Sequence, residues 1–544
     1  MQVSGSVLLT HYLSFSFDFN DPVLDFGGYS FAFRVFTSTN VYGLDPERLT
    51  VKRSPHSVSL HAEGLTWAGG QEQCSGSLDA TLSVEDDVIE WVIRAQHTEP
   101  IKSIGTIVEG LPRGRVAPCH RGFSDPGDDE LLFTYPHMHR NYGGGLYSPL
   151  LLIQPPDERT VYVHCLDDAI RPKRFYLRPR DDSYHAEFLV EQRRTAWSTE
   201  FETPPWRLGR CDRPSDAFER HQTHIERVFA LPSWEARSDV PSWARDIGLV
   251  LNLHGAHWTG YVFNTFVRML EILRWVGERI DPRRVLVYLP GWDGRYYWNI
   301  PQYDPDPRLG GVSGFKRLVS EAHDLGFHMM PMFSINASNR RHPDFERIAD
   351  AVVVWPDGDP FWGAFVDWDN DRTVDGWLAM LNVGAASWRN WLSERICRVV
   401  DQFGADAVFL DIALMWINDP RHDMYAGTCQ LVDALRRQHP EVLVVGEGWY
   451  DALLSVIPVC QTTPPPLYPS LLTKHARATG HLSHPAPGHG STGVHEYGFR
   501  GFDGSTLELN PDQIPTISIV DDTFEKHRDV LEAMIREARD RHSH

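Results

Sequence analysis

Residues 406–413, Asp-Ala-Val-Phe-Leu-Asp-Ile-Ala, form a short apolar run that delivers a carboxylate, Asp411, at its end. Glu441-Val-Leu-Val-Val-Gly-Glu447 repeats the design with Glu447 at its tip, and a segment of helical character lies between the two. A run that is apolar at successive positions has both faces buried, the condition of a parallel strand covered by helices. Two consecutive buried strands, each delivering one acid at its C-terminal end, suit a (β/α) barrel.

The grammar around this pair is βαβα from about residue 245. Ile247–Leu253, Val285–Leu289 and His328–Phe333 read as the first three strands, and the runs ending at Asp411 and Glu447 as the fourth and fifth. Phe263, Phe266, Leu270 and Leu273 have helical spacing. Ser313 is expected to cap a helix stopped by Gly326, and Ser387 one that carries Trp388, Trp391, Leu392 and Ile396 and closes at Gly404. Further helices are expected near 424–438 and from Thr523 to about Arg541, with a last strand at Ile517–Val520. The sixth and seventh strands fall somewhere in the Pro/His/Gly-rich stretch 456–512, where no pattern places them. With no Gly-rich phosphate loop, an eight-stranded barrel fits better than an open nucleotide-binding sheet.

The first ~200 residues alternate apolar and polar positions between Gly, Asp and Pro, as in SVSLHAEGLTWAGG and GSLDATLSVEDDVIEWVIRAQ, with no helix interrupting. One buried and one wet face per strand implies an antiparallel β-sandwich. The N-terminal MQVSGSVLLTHYLSFSFDF reads as strand, without the basic start of a signal peptide. The expected organisation is therefore a β-sandwich over 1–205, a connector over 206–244, and a catalytic (β/α)8 TIM barrel over 245–544 with an insertion at about 336–385.

A net charge of −21 argues against a nucleic-acid partner, because neutralising phosphates needs a basic face. The seven scattered cysteines include no C-x-x-C pair and indicate neither a zinc site nor a disulfide framework. No segment reaches the roughly 18 consecutive apolar residues of a membrane helix. The expectation is a soluble, cytoplasmic protein without cofactor, metal or membrane partner; a homo-oligomer is compatible with it.

In such a barrel the chemistry sits at the C-terminal strand ends. The first strand leads to His254. The second leads to Gly291-Trp-Asp-Gly-Arg-Tyr-Tyr-Trp298, in which Asp293 is the acid and Trp292, Tyr297 and Trp298 are expected to form an aromatic platform. The third leads to Asn336, the fourth to Asp411 and Trp416, the fifth to Glu447 and Trp449, and a later loop carries His495-Glu496. Carboxylates for acid/base work with amides, imidazoles and indoles around them make a carbohydrate site. Cleavage of a glycosidic bond needs two carboxyl groups flanking it, one to protonate the leaving oxygen and one to attack or to activate water. Asp304-Pro-Asp-Pro307 lacks the spaced acids of a calcium loop.

Phe-Leu-Asp-Ile-Ala at the fourth strand followed by Val-Gly-Glu-Gly-Trp at the fifth resembles the α-retaining glycoside hydrolases of the α-amylase superfamily and its relatives, with the endo-α-N-acetylgalactosaminidases nearest in style. The resemblance implies Asp411 as nucleophile and Glu447 as acid/base. The preceding sandwich resembles the layout of that branch and of the α-galactosidase and α-glucosidase families. The Asn-His-Asp expected after the seventh strand is missing; His495-Glu496 is the nearest match, and Asp293 is the alternative third carboxylate. Open beside this reading stand a non-catalytic carbohydrate-binding barrel, an inverting hydrolase and a metal-dependent barrel enzyme.

Overall fold

The computed structural model describes residues 22–136, 145–156, 158–257, 260–294, 299–363, 378–481, 512–520 and 523–541. The N-terminal strand expected within residues 1–21 lies outside them.

Between Leu24 and Cys211 sixteen strands join into one antiparallel sheet that turns over on itself. The turnover is Val41–Leu44, which pairs with Tyr29–Phe36 on one side and Ser57–Trp67 on the other. The two halves face each other through aromatic rings, which makes the sheet a sandwich. Phe31 meets Trp91 with ring centroids 5.7 Å apart, Trp91 stacks on Trp206 at 6.1 Å, and Phe188 meets Trp206 at 5.6 Å. The Trp91 indole N–H donates to Thr106 Oγ1 at 3.0 Å, so its one polar atom is satisfied inside the core. Ser57–Trp67 and Val88–His97 show the expected alternation of burial. Thr160–Cys165 instead is buried on both faces, because the helix Pro214–Val228 packs on its outer side.

The barrel closes from eight parallel strands in chain order. These are β1 (Leu249–Asn252), β2 (Val285–Leu289), β3 (His328–Ser334), β4 (Ala407–Asp411), β5 (Leu443–Glu447), β6 (Val459–Gln461), β7 (Arg477–His481) and β8 (Gln513–Ser518). Val250, Tyr288, Met332, Phe409, Val445 and Val459 belong to one core cluster inside it. Trp234, Val240, Ala244 and Ile247 of the connector join that cluster and seal the end where the strands begin. Side chains alternate along a strand, so the next inward residue after each of Val250, Met332, Phe409 and Val445 is Asn252, Ser334, Asp411 and Glu447. The hydrophobic interior thus ends in a polar layer at the C-terminal mouth.

Around the barrel run α1 (Phe266–Gly277), α2 (Gly311–Leu325), α3 (Ala386–Phe403), α4 (Met424–Gln438) and α5 (Arg528–Arg541), the last preceded by the short helix Thr523–Lys526. The expected caps Ser313 and Ser387 do not hold. Gly310 and Ala385 occupy the N-cap positions of α2 and α3, and the Ser387 hydroxyl donates to Asp350 at 2.6 Å instead. Gly326 and Gly404 close these helices as expected. The two strands that could not be placed are now located. β6 has three residues and β7 reads Arg-Ala-Thr-Gly-His, while a 3-10 turn, Asp451–Ser455, stands where a helix between β5 and β6 would be. The insertion after β3 carries a small sheet of Ala337–Asn339, Trp362–Gly363 and Leu378–Met380. Among the described residues no helix is long and apolar enough to cross a membrane.

Trp91 fills the centre of the sandwich, so Trp91→Ala is expected to cost about 3–5 kcal/mol of stability, read as a lowered midpoint in urea denaturation.

Candidate active site

Asp411 and Glu447 end adjacent parallel strands whose register pairs Leu410 with Gly446. Both point inward, and neighbouring strands lie about 4.8 Å apart. They are also joined through the backbone. Glu447 Oε2 accepts the N–H of Ile412, the residue after Asp411, at 2.8 Å. Ile412 has φ +60°, a left-handed conformation that is costly for a β-branched residue. Its carbonyl accepts from Asn336 Nδ2 at 2.9 Å. Held on both sides, this strained residue fixes the chain that leaves Asp411, and Glu447 is pinned by its Oε2. Gly448, with φ +67°, turns the chain just after Glu447, and Leu414 atoms lie 2.8 Å from where its Cβ would be. Only glycine fits there.

Asp293 is buried in the loop after β2. Burial raises its pKa from 3.8 to about 7, with the negative charges of Asp306 and Asp304 adding to the effect. Those two acids are taken by cations: Asp306 by Arg308 at 2.8 Å and Asp304 by Arg398 at 2.7 Å. Among the described residues no group of three His, Cys, Asp or Glu could hold a metal ion. Tyr303, which follows the aromatic loop in the sequence, is buried. Burial raises its hydroxyl's pKa well above the ordinary range, and the charges of Asp293 and Asp411 raise it further. The hydroxyl accepts from Ser334 N at 3.0 Å at the tip of β3.

The remaining expected site residues divide. Trp292 is no open platform: it is fully buried, stacks on Phe315 of α2 at 4.9 Å and donates to the Met332 carbonyl at 3.0 Å. It belongs to the layer between barrel and helices, because the chain turns outward before Asp293. His254 is buried too, with Nε2 3.2 Å from the Ala256 carbonyl and its ring 5.2 Å from Phe263, and so braces the loop after β1. Trp416 and Trp449 lie buried at the mouth, in the loops after β4 and β5. Tyr297, Trp298, His495 and Glu496, with the acidic stretch 365–371 of the insertion, lie outside the described residues.

The sandwich also reaches this end of the barrel. Tyr147 stacks on His120 with centroids 4.4 Å apart and meets Trp449 edge-on at 5.2 Å. Burial, then Cys119 and Glu447, raise its hydroxyl's pKa. No sequence pattern points to Tyr147, because it comes to Glu447 from the other fold unit.

No protein-family model and no curated protein sequence matches this chain. Solved structures do. The ligand-free α-N-acetylgalactosaminidase NagBb from Bifidobacterium bifidum superposes with a TM-score of 0.65 at 13% identity, covering 95% of this chain and 93% of that one. Its complex with GalNAc gives a TM-score of 0.65 at 12% identity over 86% of each chain. The GH36 α-galactosidase AgaA from Geobacillus stearothermophilus gives 0.50 at 10% identity, over 93% of this chain and 74% of that one. The chain therefore has a fold shared with α-galactosidases and α-N-acetylgalactosaminidases.

The raised pKa of Asp293 carries a stability consequence. The folded state holds this proton more tightly than the unfolded chain, so stability falls as pH rises from about 4 through about 7 and then levels. In Asp293→Asn that loss is absent. Thermal unfolding is expected to show the variant gaining on wild type by several degrees at pH 8, with the ionisation-linked gain gone at pH 4.

Proposed function

We propose that this protein is a glycoside hydrolase that cleaves α-linked sugars of galacto configuration, an α-N-acetylgalactosaminide first among them, with retention at the anomeric carbon. The observation that carries the reading is the Asp411–Glu447 pair: two inward carboxylates on adjacent strand tips at the barrel's mouth, joined through the Ile412 N–H. The sandwich would extend to Cys211, past the expected boundary at 205, and residues 245–544 would be the catalytic barrel. The shared fold supports the substrate class, since the neighbours are named for α-N-acetylgalactosaminides and α-galactosides.

In this mechanism Asp411 attacks the anomeric carbon while Glu447 gives its proton to the leaving oxygen. The glycosyl ester on Asp411 is then attacked by water, whose proton returns to Glu447. The short Asp411 side chain, anchored by the strand and the strained Ile412, suits the nucleophile. The longer Glu447, held by one oxygen, suits proton transfer from the other. Asp293 would bind a hydroxyl on the far side of the sugar. Ser334 Oγ, Asn336 Oδ1, Asn252 Oδ1 and the indole nitrogens of Trp416 and Trp449 are buried without a hydrogen-bond partner among the described residues. Buried polar atoms are seldom left so, and a sugar offers hydroxyls to meet them.

The test uses 4-nitrophenyl glycosides of α- and β-GalNAc and α- and β-galactose. Wild type should release nitrophenol from an α-galacto substrate and form the α-anomer first by NMR. Asp411→Asn and Glu447→Gln should each lose about 10³-fold or more on the corresponding alkyl glycoside. Full activity in both variants, or a β-anomer as first product, would contradict the assignment.

A further inference from the structure

A buried chain of hydrogen bonds links the sandwich to the loop that follows Glu447. Asp451 lies four residues beyond that acid and is 1% exposed. Its Oδ1 accepts from the Tyr135 hydroxyl at 2.5 Å and from the Ala452 N–H at 2.8 Å, and its Oδ2 accepts from the Ser148 hydroxyl at 2.7 Å. Ser148 Oγ lies 2.6 Å from His221 Nε2. Because the Ser148 proton goes to Asp451, the ring nitrogen is the donor in that contact, which places the proton of a neutral His221 on Nε2. Burial lowers the pKa of His221 to about 3, which keeps it neutral. Tyr135 and Ser148 belong to the sandwich region and His221 to the connector helix, while Asp451 belongs to the barrel.

The same contact seats Tyr147. The Asp451 N–H donates to the Tyr147 carbonyl at 2.8 Å, next to the Ser148 that holds the Asp451 carboxylate. Tyr147 then lies on the edge of Trp449, and the charge of Glu447 is among the causes that raise its hydroxyl's pKa. Tyr450, between Trp449 and Asp451, meets the Tyr135 ring edge-on at 6.4 Å. The segment after the acid/base is therefore gripped from the sandwich at three consecutive residues.

We propose that Asp451 is a positioning residue for proton donation: clamped by Tyr135 and Ser148, it sets Trp449 and Tyr147 against Glu447, so that the sandwich and the barrel together fix the acid's geometry. This rests on the reading of Glu447 as the acid/base. A buried carboxylate held by neutral hydroxyls is a stiff anchor, because losing any one donor leaves charge unsatisfied. Trp449 lies two residues after the proton-donating Glu447 and packs on Tyr147, so a shift of this segment displaces the proton from the leaving oxygen.

The experiment compares a leaving group that needs protonation with one that does not. Asp451→Asn, Ser148→Ala and Glu447→Gln are assayed on methyl and on 4-nitrophenyl α-N-acetylgalactosaminide, with full pH profiles of kcat/KM. General acid help is worth on the order of 10²-fold or more on the methyl glycoside and little on the nitrophenyl one. Both clamp variants are expected to lose at least about tenfold on the methyl substrate and under about threefold on the nitrophenyl one, and to move the basic limb of the profile. Should Asp451→Asn fail to fold, Tyr135→Phe removes one donor and keeps the ring, and is read in the same way. Equal losses on both substrates with an unmoved basic limb overturn the proposal and leave the clamp as packing. If Glu447→Gln itself shows no leaving-group dependence, the acid/base assignment fails and the proposal falls with it, a result distinct from failure of the clamp alone.

Discussion

The peptide at Ile412 is where the fold and the chemistry meet. A β-branched residue at φ +60° does not hold that conformation unaided. Here its N–H goes to Glu447 and its carbonyl to Asn336, so strands β3, β4 and β5 all contribute to holding it. The exchange works in both directions. The bond that supports the strained turn also fixes the rotation of the Glu447 side chain, and Asn336 fixes the turn from which Asp411 projects. Neither acid is placed by its own strand alone. A barrel core of Phe409, Val445, Met332 and their neighbours provides the rigid base on which this small network is set.

The loops that follow the two acids are held from outside the barrel. After β4, Asn418 donates to Glu191 at 2.7 Å and to the Gln192 carbonyl at 2.9 Å, and its own oxygen accepts the Arg194 N–H at 2.7 Å. Arg193 pairs with Asp423 at 3.3 Å, just before α4. After β5 the Asp451 cluster does the same work. The Asn418 and Asp451 contacts are short, buried or part-buried and directional, unlike the exposed ion pairs elsewhere on the surface, which stabilise little. The sandwich therefore acts as a brace for the loops that follow Asp411 and Glu447, although it carries neither acid.

Legibility followed the physics of each element. β2 could be read to the residue, the C-terminal ends of β4 and β5 likewise, and α4 within its approximate bounds, because continuous apolar runs and helical spacing report burial directly. β6 and β7 could not. Val459-Cys-Gln461 is too short to show a period, and Arg477-Ala-Thr-Gly-His481 replaces bulk with small residues because the Gln513 side chain lies over Gly480. Asp411 and Glu447 were legible since each ends such a run. Tyr147 and Ser148 were not, because their partners are distant in sequence: Ser148 and Asp451 are 303 residues apart. Trp292 misled for the opposite reason. An indole in a Gly- and Asp-rich loop reads as exposed, yet the loop begins with a turn that packs the ring between Phe315 and Phe333.

Charge pairing separates the acids that hold this molecule together from Asp293 and Asp451, whose pKa values burial raises. Asp167 is buried between Arg171 and Lys173 and its pKa falls to about 2, the sign of a carboxylate more stable folded than unfolded. Asp239 lies against Arg237, and Asp306 against Arg308. Asp293 is as deeply buried as these, but its acidic neighbours keep their arginines and no cation among the described residues pairs with it. The ordinary response to such a position is an apolar or amide side chain, either of which would remove the penalty. A carboxyl kept there makes the folded state less stable at neutral pH. That is the pattern expected of a group placed for a ligand, the role proposed for Asp293.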